Sequence, residues 1–110
     1  MNRLVELGQL VDWYGAFLTQ RQRSLVRQYA FEDCSLGEIA EREGISRQAV
    51  RDAVATAEAE LRGMEQKLGL IEKSERSRAI LNELLATPLD DRQRELAEKL
   101  LELSSGEEEA

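Results

Sequence analysis

Apolar residues recur along this chain at spacings of three and four, the period of amphipathic helices, from the first residues to about residue 103. Over residues 3–18 the positions Leu4, Leu7, Val11, Tyr14 and Leu18 follow that spacing, with Val5, Leu10, Trp13 and Phe17 beside them. One helix is therefore expected to be apolar over much of its circumference, and it must be buried on more than one side. A chain of 110 residues offers little core for that. Leu4, Leu7, Val11, Tyr14 and Leu18 are accordingly read as an interface of a homodimer, packing on a partner subunit as well as on their own domain. The alternative is the first core helix of a monomer. Gly8 and Gly15, seven apart, would let a neighbouring helix approach closely.

Helix-start signals divide the rest. Thr19 and Gln22 have capping-box spacing and open a second helix, with Leu25, Val26, Tyr29 and Ala30 inward and Arg21, Arg23, Arg27 and Gln28 outward. Ser35 and Glu38 repeat the signal for a short third helix burying Leu36, Ile39 and Ala40, and Gly44 ends it. Ser46 caps a fourth, long helix along which Val50, Val54, Ala57, Leu61, Met64 and Leu68 form a heptad seam up to Gly69. Beyond it, Ile80, Leu81, Leu84 and Leu85 predict one amphipathic face. Thr87 and Pro88 predict a cap and first-turn proline, and Leu89, Leu96, Leu100 and Leu103 a second face. The fold expected is all-α. An apolar N-terminal dimerisation helix spans 1–18, a helix-turn-helix domain with a long recognition helix 19–70, a C-terminal helical hairpin 71–103 and an acidic disordered tail 104–110.

The stretch "SLGEIAEREGISRQAV", residues 35–50, carries the helix-turn-helix reading. A small residue at Ala40 lets two helices cross, Gly44 makes the turn, Ile45 plugs the junction, Ser46 caps and Val50 anchors the second helix. That arrangement leaves Arg47, Gln48 and Arg51 outward on its first turns, side chains able to reach guanine, adenine or phosphate. Ser46, Arg47, Gln48 and Arg51 are thus the candidate nucleic-acid contacts.

Charge limits that inference. The formal net charge is -7, and residues 19–68 carry eight positive and nine negative side chains. The basic footprint usual in DNA-binding domains is missing, so DNA readout and a protein- or RNA-binding use of the same unit stay open alike. The sequence has no histidine and a single cysteine, Cys34. The commonest general base and metal ligand are thereby absent, and no glycine-rich loop precedes a helix to hold phosphate. A non-enzymatic protein without cofactor or metal is expected. The N-terminal apolar run contains Glu6 and Asp12, unlike a signal peptide, and no stretch is long enough to span a bilayer. No membrane association and a cytoplasmic location are the expectations.

"DWYGAFLTQRQ" at 12–22, followed by "SLGEIAEREGISRQAVRDAVATAEAEL" at 35–61, resembles the YlxM family, small bacterial proteins with a helix-turn-helix similar to region 4 of sigma factors. The resemblance covers roughly residues 10–75. It implies an all-helical dimer with its N-terminal helices in the assembly, and an accessory or regulatory role in the signal recognition particle pathway. DNA or RNA binding is inferred from that fold, through Ser46 as cap and Arg47, Gln48 and Arg51 as contacts. The alternative is a protein-interaction module that uses the fourth-helix seam and the hairpin to bind a targeting GTPase of that pathway or RNA polymerase. Two departures stand out. Position 43, usually apolar or aromatic in the family, is Glu43, which predicts a looser or more exposed helix junction. Positions 55 and 56, often basic in relatives, are Ala55 and Thr56, which removes phosphate contacts.

Overall fold

A computed structural model describes residues 2–104, among which there are six α-helices, one short 3-10 turn and no strand. The acidic tail expected from residue 104 lies, apart from Ser104, outside the described residues; Ser104 itself closes the last helix. The chain divides into two compact units, Met1–Leu68 and Gly69–Ala110.

The first unit contains α1 (Arg3–Tyr14), α2 (Gln20–Ala30), α3 (Leu36–Glu43) and α4 (Arg47–Leu68). Asn2 starts α1 by accepting the Leu4 N–H at 2.7 Å. The single helix expected over 3–18 stops earlier: Gly15–Phe17 form a 3-10 turn and Leu18 is extended. The cause is the next helix start, since Thr19 must be non-helical to accept the Gln22 N–H at 3.1 Å while the Gln22 side chain accepts the Thr19 N–H at 3.0 Å.

Helix α1 packs on α2 and α4. Leu7, Val11, Tyr14 and Leu18 are buried within their own subunit, and Leu4 is half-buried. Leu7, Val11, Tyr14 and Leu18 thus form one wall of the core of their own unit. The small residue at Gly8 serves the same interior, because a methyl group there would stand 3.1 Å from the Phe31 ring at the end of α2. The α4 seam is buried at Val50, Val54, Ala57 and Leu61, is half-buried at Met64, and reaches solvent at Leu68.

Polar groups tie α1 to α4. Glu58, nearly buried, accepts from Arg3 Nη2 at 2.5 Å and from Arg62 Nε at 2.9 Å. The hydrogen bond that Arg3 donates to Glu58, followed by the one it donates to Tyr29, raises its guanidinium above the ordinary value. The buried Tyr14 hydroxyl donates to Glu65 at 2.5 Å.

In the second unit, α5 (Leu70–Leu85) and α6 (Asp91–Ser104) pack antiparallel. Near one end the Ser74 hydroxyl donates to the Ser104 carbonyl, and near the other Arg94 donates to the Leu85 carbonyl at 3.3 Å. The cap of α6 differs from the Thr87–Pro88 reading. Asp90 accepts the Gln93 N–H at 2.7 Å and Gln93 answers at 3.0 Å, whereas Thr87 donates to the Leu84 carbonyl at 2.6 Å and closes α5. The expected inward faces are also displaced. Ile71 and Leu81 on α5 and Ala97 on α6 are buried, while Ile80, Leu84, Leu96, Leu100 and Leu103 are exposed. The inward line runs through Ile71, Leu81 and Ala97, with Ser74 bonded to the Ser104 carbonyl, and the other leucines lie beside that line.

Candidate nucleic-acid interface

Helix α3 begins with a reciprocal pair in which Ser35 Oγ accepts the Glu38 N–H at 3.1 Å and Glu38 accepts the Ser35 N–H at 3.0 Å. The Ser35 backbone hydrogen bond, followed by that of its side chain, holds the Glu38 carboxyl below the usual glutamate value. A depressed carboxyl adds stability above its ordinary value and loses it as the pH falls through the folded one. An NMR titration should therefore place Glu38 below an ordinary glutamate and return it upward in Ser35→Ala; a titration identical in both chains would remove the cap's role.

Gly44 ends α3 with φ +68° and ψ 33°, the left-handed region that glycine enters without a side-chain clash. The Gly44 and Ile45 N–H groups both reach the Ala40 carbonyl, and this folds the chain back into α4 within two residues. Ser46 caps α4, its Oγ accepting the Ala49 N–H at 3.0 Å. Ile39 and Val50 are buried on either side of the turn and lock the two helices together. Short helix, tight turn and long capped helix are the parts of a helix-turn-helix unit.

The four candidate contacts, Ser46, Arg47, Gln48 and Arg51, are all exposed at this helix start. Arg47 lies across α3: a methyl group at Gly37 would stand 3.0 Å from its Nε and 3.2 Å from its Nη2. Gly37 thus clears the space in which the guanidinium rests. Gln48 bridges its neighbours, donating to Asp52 at 2.8 Å and accepting from Arg51 at 3.2 Å. The three side chains Gln48, Arg51 and Asp52 form one hydrogen-bonded row along the outer face. No acidic residue occupies the first turn of α4, so the positive end of the helix dipole faces outward undiminished.

Pairing sorts the charges of this unit. Arg3, Arg42 and Arg62 are held by carboxylates. Arg21, Arg23, Arg27, Arg47 and Arg51 make no ion pair among the described residues, although Arg27 lies 5.1 Å from the centre of the Phe31 ring. Glu6 and Glu58 pair with arginines at the α1–α4 contact and Glu32 pairs with Arg42, while the arginines without an ion pair lie on α2 and at the start of α4.

Three contributors escape a reading of the sequence. Gln28, expected outside, is only 5% exposed: it donates to Glu43 at 3.3 Å and accepts from Arg42 at 3.0 Å, joining α2 to α3. Glu43 thereby ties the end of α3 to α2. Gly37 has no local signal, because its reason is Arg47, ten residues on. Asp52 could have been found from its i,i+4 spacing to Gln48.

The fold and this site define a helix-turn-helix protein, and comparison with known families agrees. Residues 1–102 match the family UPF0122, described as "Putative helix-turn-helix protein, YlxM / p13 like". The match extends well past residue 75, where the resemblance was expected to fade. A UPF0122 protein of Symbiobacterium thermophilum is 43% identical over 84 residues, covering 76% of this chain and 78% of the relative. One from Shouchella clausii is 38% identical over 102 residues, covering 93% and 94%, and one from Geobacillus kaustophilus 44% over 84 residues, covering 76% of each. The chain belongs to the UPF0122 family. Among the described residues no helix is long and apolar enough to cross a membrane.

Proposed function

We propose that this protein is a non-enzymatic, sigma-region-4-like helix-turn-helix factor that binds nucleic acid through the start of α4, as an accessory or regulatory component of the signal recognition particle pathway. The observation that carries the binding reading is the first turns of α4. Arg47, Gln48 and Arg51 stand exposed behind a capped, dipole-positive helix end, and neither arginine is neutralised by a carboxylate. The pathway assignment rests on the family resemblance alone. Arginine suits both bidentate readout of guanine and phosphate contact, and Gln48 matches adenine.

The row Gln48–Arg51–Asp52 must open for bases or phosphates to be touched. Its bonds are exposed, so water or ligand replaces them at small cost. Asp52 lies beside this contact set and disfavours phosphate close to it, which restricts the footprint to the helix start.

Titration of the full chain against a mixed-sequence DNA duplex and an RNA stem-loop tests the reading. Arg47→Ala and Arg51→Ala should each cost about 1–3 kcal/mol of binding and each lower the salt slope by about 1 on DNA. Binding that survives both substitutions unchanged would sink the assignment, and a stronger effect on the stem-loop would identify RNA as the preferred class.

A further inference from the structure

The row Gln48–Arg51–Asp52 on the outer face of α4 has a direction that its chemistry fixes. A carboxylate only accepts hydrogen bonds and a guanidinium only donates them. The Gln48 amide between them is therefore oriented, its Nε2 donating to Asp52 at 2.8 Å and its Oε1 accepting from Arg51 at 3.2 Å. Asp52 follows Gln48 at i+4 and Arg51 follows it at i+3, the spacings at which helical side chains meet. All three are exposed, and Asp52 makes no ion pair among the described residues. Its partner is the amide.

A glutamine amide has two hydrogens to give and one oxygen that accepts. Asp52 takes one hydrogen and leaves one. That subtraction decides which base edge the amide can satisfy. In the major groove adenine presents an acceptor, N7, and a donor at N6, whereas guanine presents two acceptors, N7 and O6. With both hydrogens free, an amide serves either purine, giving one hydrogen and its oxygen to adenine or both hydrogens to guanine. With one hydrogen held, it completes two bonds with adenine alone, and guanine in its place would keep a desolvated acceptor unfilled.

Resting on the nucleic-acid reading of α4, we infer that Asp52 determines specificity: it withholds one Gln48 hydrogen and so restricts the base facing Gln48 to adenine in duplex DNA. Duplex DNA is the class that fits, because its major groove admits a helix, whereas that of an RNA helix is too narrow for side chains to read. The row opens at its longer link, from which the Arg51 guanidinium leaves for a phosphate or a base. That frees Gln48 Oε1 for the adenine amino group, while the shorter bond to the Asp52 carboxylate keeps its hydrogen. Asp52 is a positioning residue, acting through Gln48, and its negative charge lowers affinity for every sequence alike.

The test selects bound sequences from a randomised DNA duplex pool with the full chain. The parent should enrich adenine at one position, and 7-deazaadenine there, which lacks the N7 acceptor, should weaken binding about tenfold. Asp52→Ala should bind the unselected pool more tightly, yet its discrimination between adenine and guanine at that position should fall from about tenfold to less than about twofold. Gln48→Ala should lose the preference for either purine, and Asp52→Glu, which keeps a carboxylate acceptor, should retain adenine. A pool that the parent does not bind would overturn the nucleic-acid reading and this inference with it. Three outcomes would overturn the inference alone: binding without preference at any position, an adenine preference that survives Asp52→Ala, or a cytosine preference lost in that variant, as direct base contact by Asp52 would produce.

Discussion

A chain carrying Leu7→Asp is expected to lose the folded 1–68 unit outright. Leu7 has no exposed surface, so the change removes a core aliphatic, worth about 2–5 kcal/mol as a truncation. It also leaves a carboxylate without a partner in an apolar interior, which adds a penalty of several kcal/mol more. Together these approach the whole stability of a small domain, about 5–15 kcal/mol. Circular dichroism should show lost helix and a lost cooperative melt. The same experiment separates two roles for this helix. Were Leu7 and Val11 part of a subunit interface, aspartate there would yield a folded monomer in sedimentation; burial in their own subunit requires an unfolded chain.

Tyr14 should show the next largest effect, and the pair Tyr14→Ala and Tyr14→Phe divides its two contributions. The ring is fully buried, and its loss should cost about 3–5 kcal/mol. The hydroxyl contributes the hydrogen bond to Glu65 at 2.5 Å, so phenylalanine should cost about 1.5–3 kcal/mol, the range for bonds to charged acceptors. Denaturant unfolding followed by Trp13 fluorescence measures both. Equal destabilisation by the two variants would contradict this division.

Most helix starts were legible because their chemistry is local. Thr19 with Gln22, Ser35 with Glu38, and Ser46 need only neighbours within one turn, and Gly44 only its own backbone. The seam of α4 was legible as far as Leu61, where α1, α2 and α3 cover it. What stayed hidden depends on residues far apart in the chain. Ile80, Leu84, Leu96, Leu100 and Leu103 satisfy helical spacing, yet the buried line between α5 and α6 runs through Ile71, Leu81 and Ala97, and the last of these ranks low in any periodicity. The contact set Arg47, Gln48 and Arg51 could be named from position on the helix, but its support could not, since Gly37 and the Gln28 bridge lie on other helices.

That bridge ties the history of two positions together. The Gln28 side-chain nitrogen is shared between Ser24 and Glu43, both at 3.3 Å, while its oxygen takes Arg42 at 3.0 Å. A lineage that exchanged Glu43 for an apolar side chain would set it against a buried amide and gain little unless residue 28 changed as well. Positions 28 and 43 are therefore expected to covary among relatives, polar with polar and apolar with apolar, fifteen residues apart yet inherited as one choice.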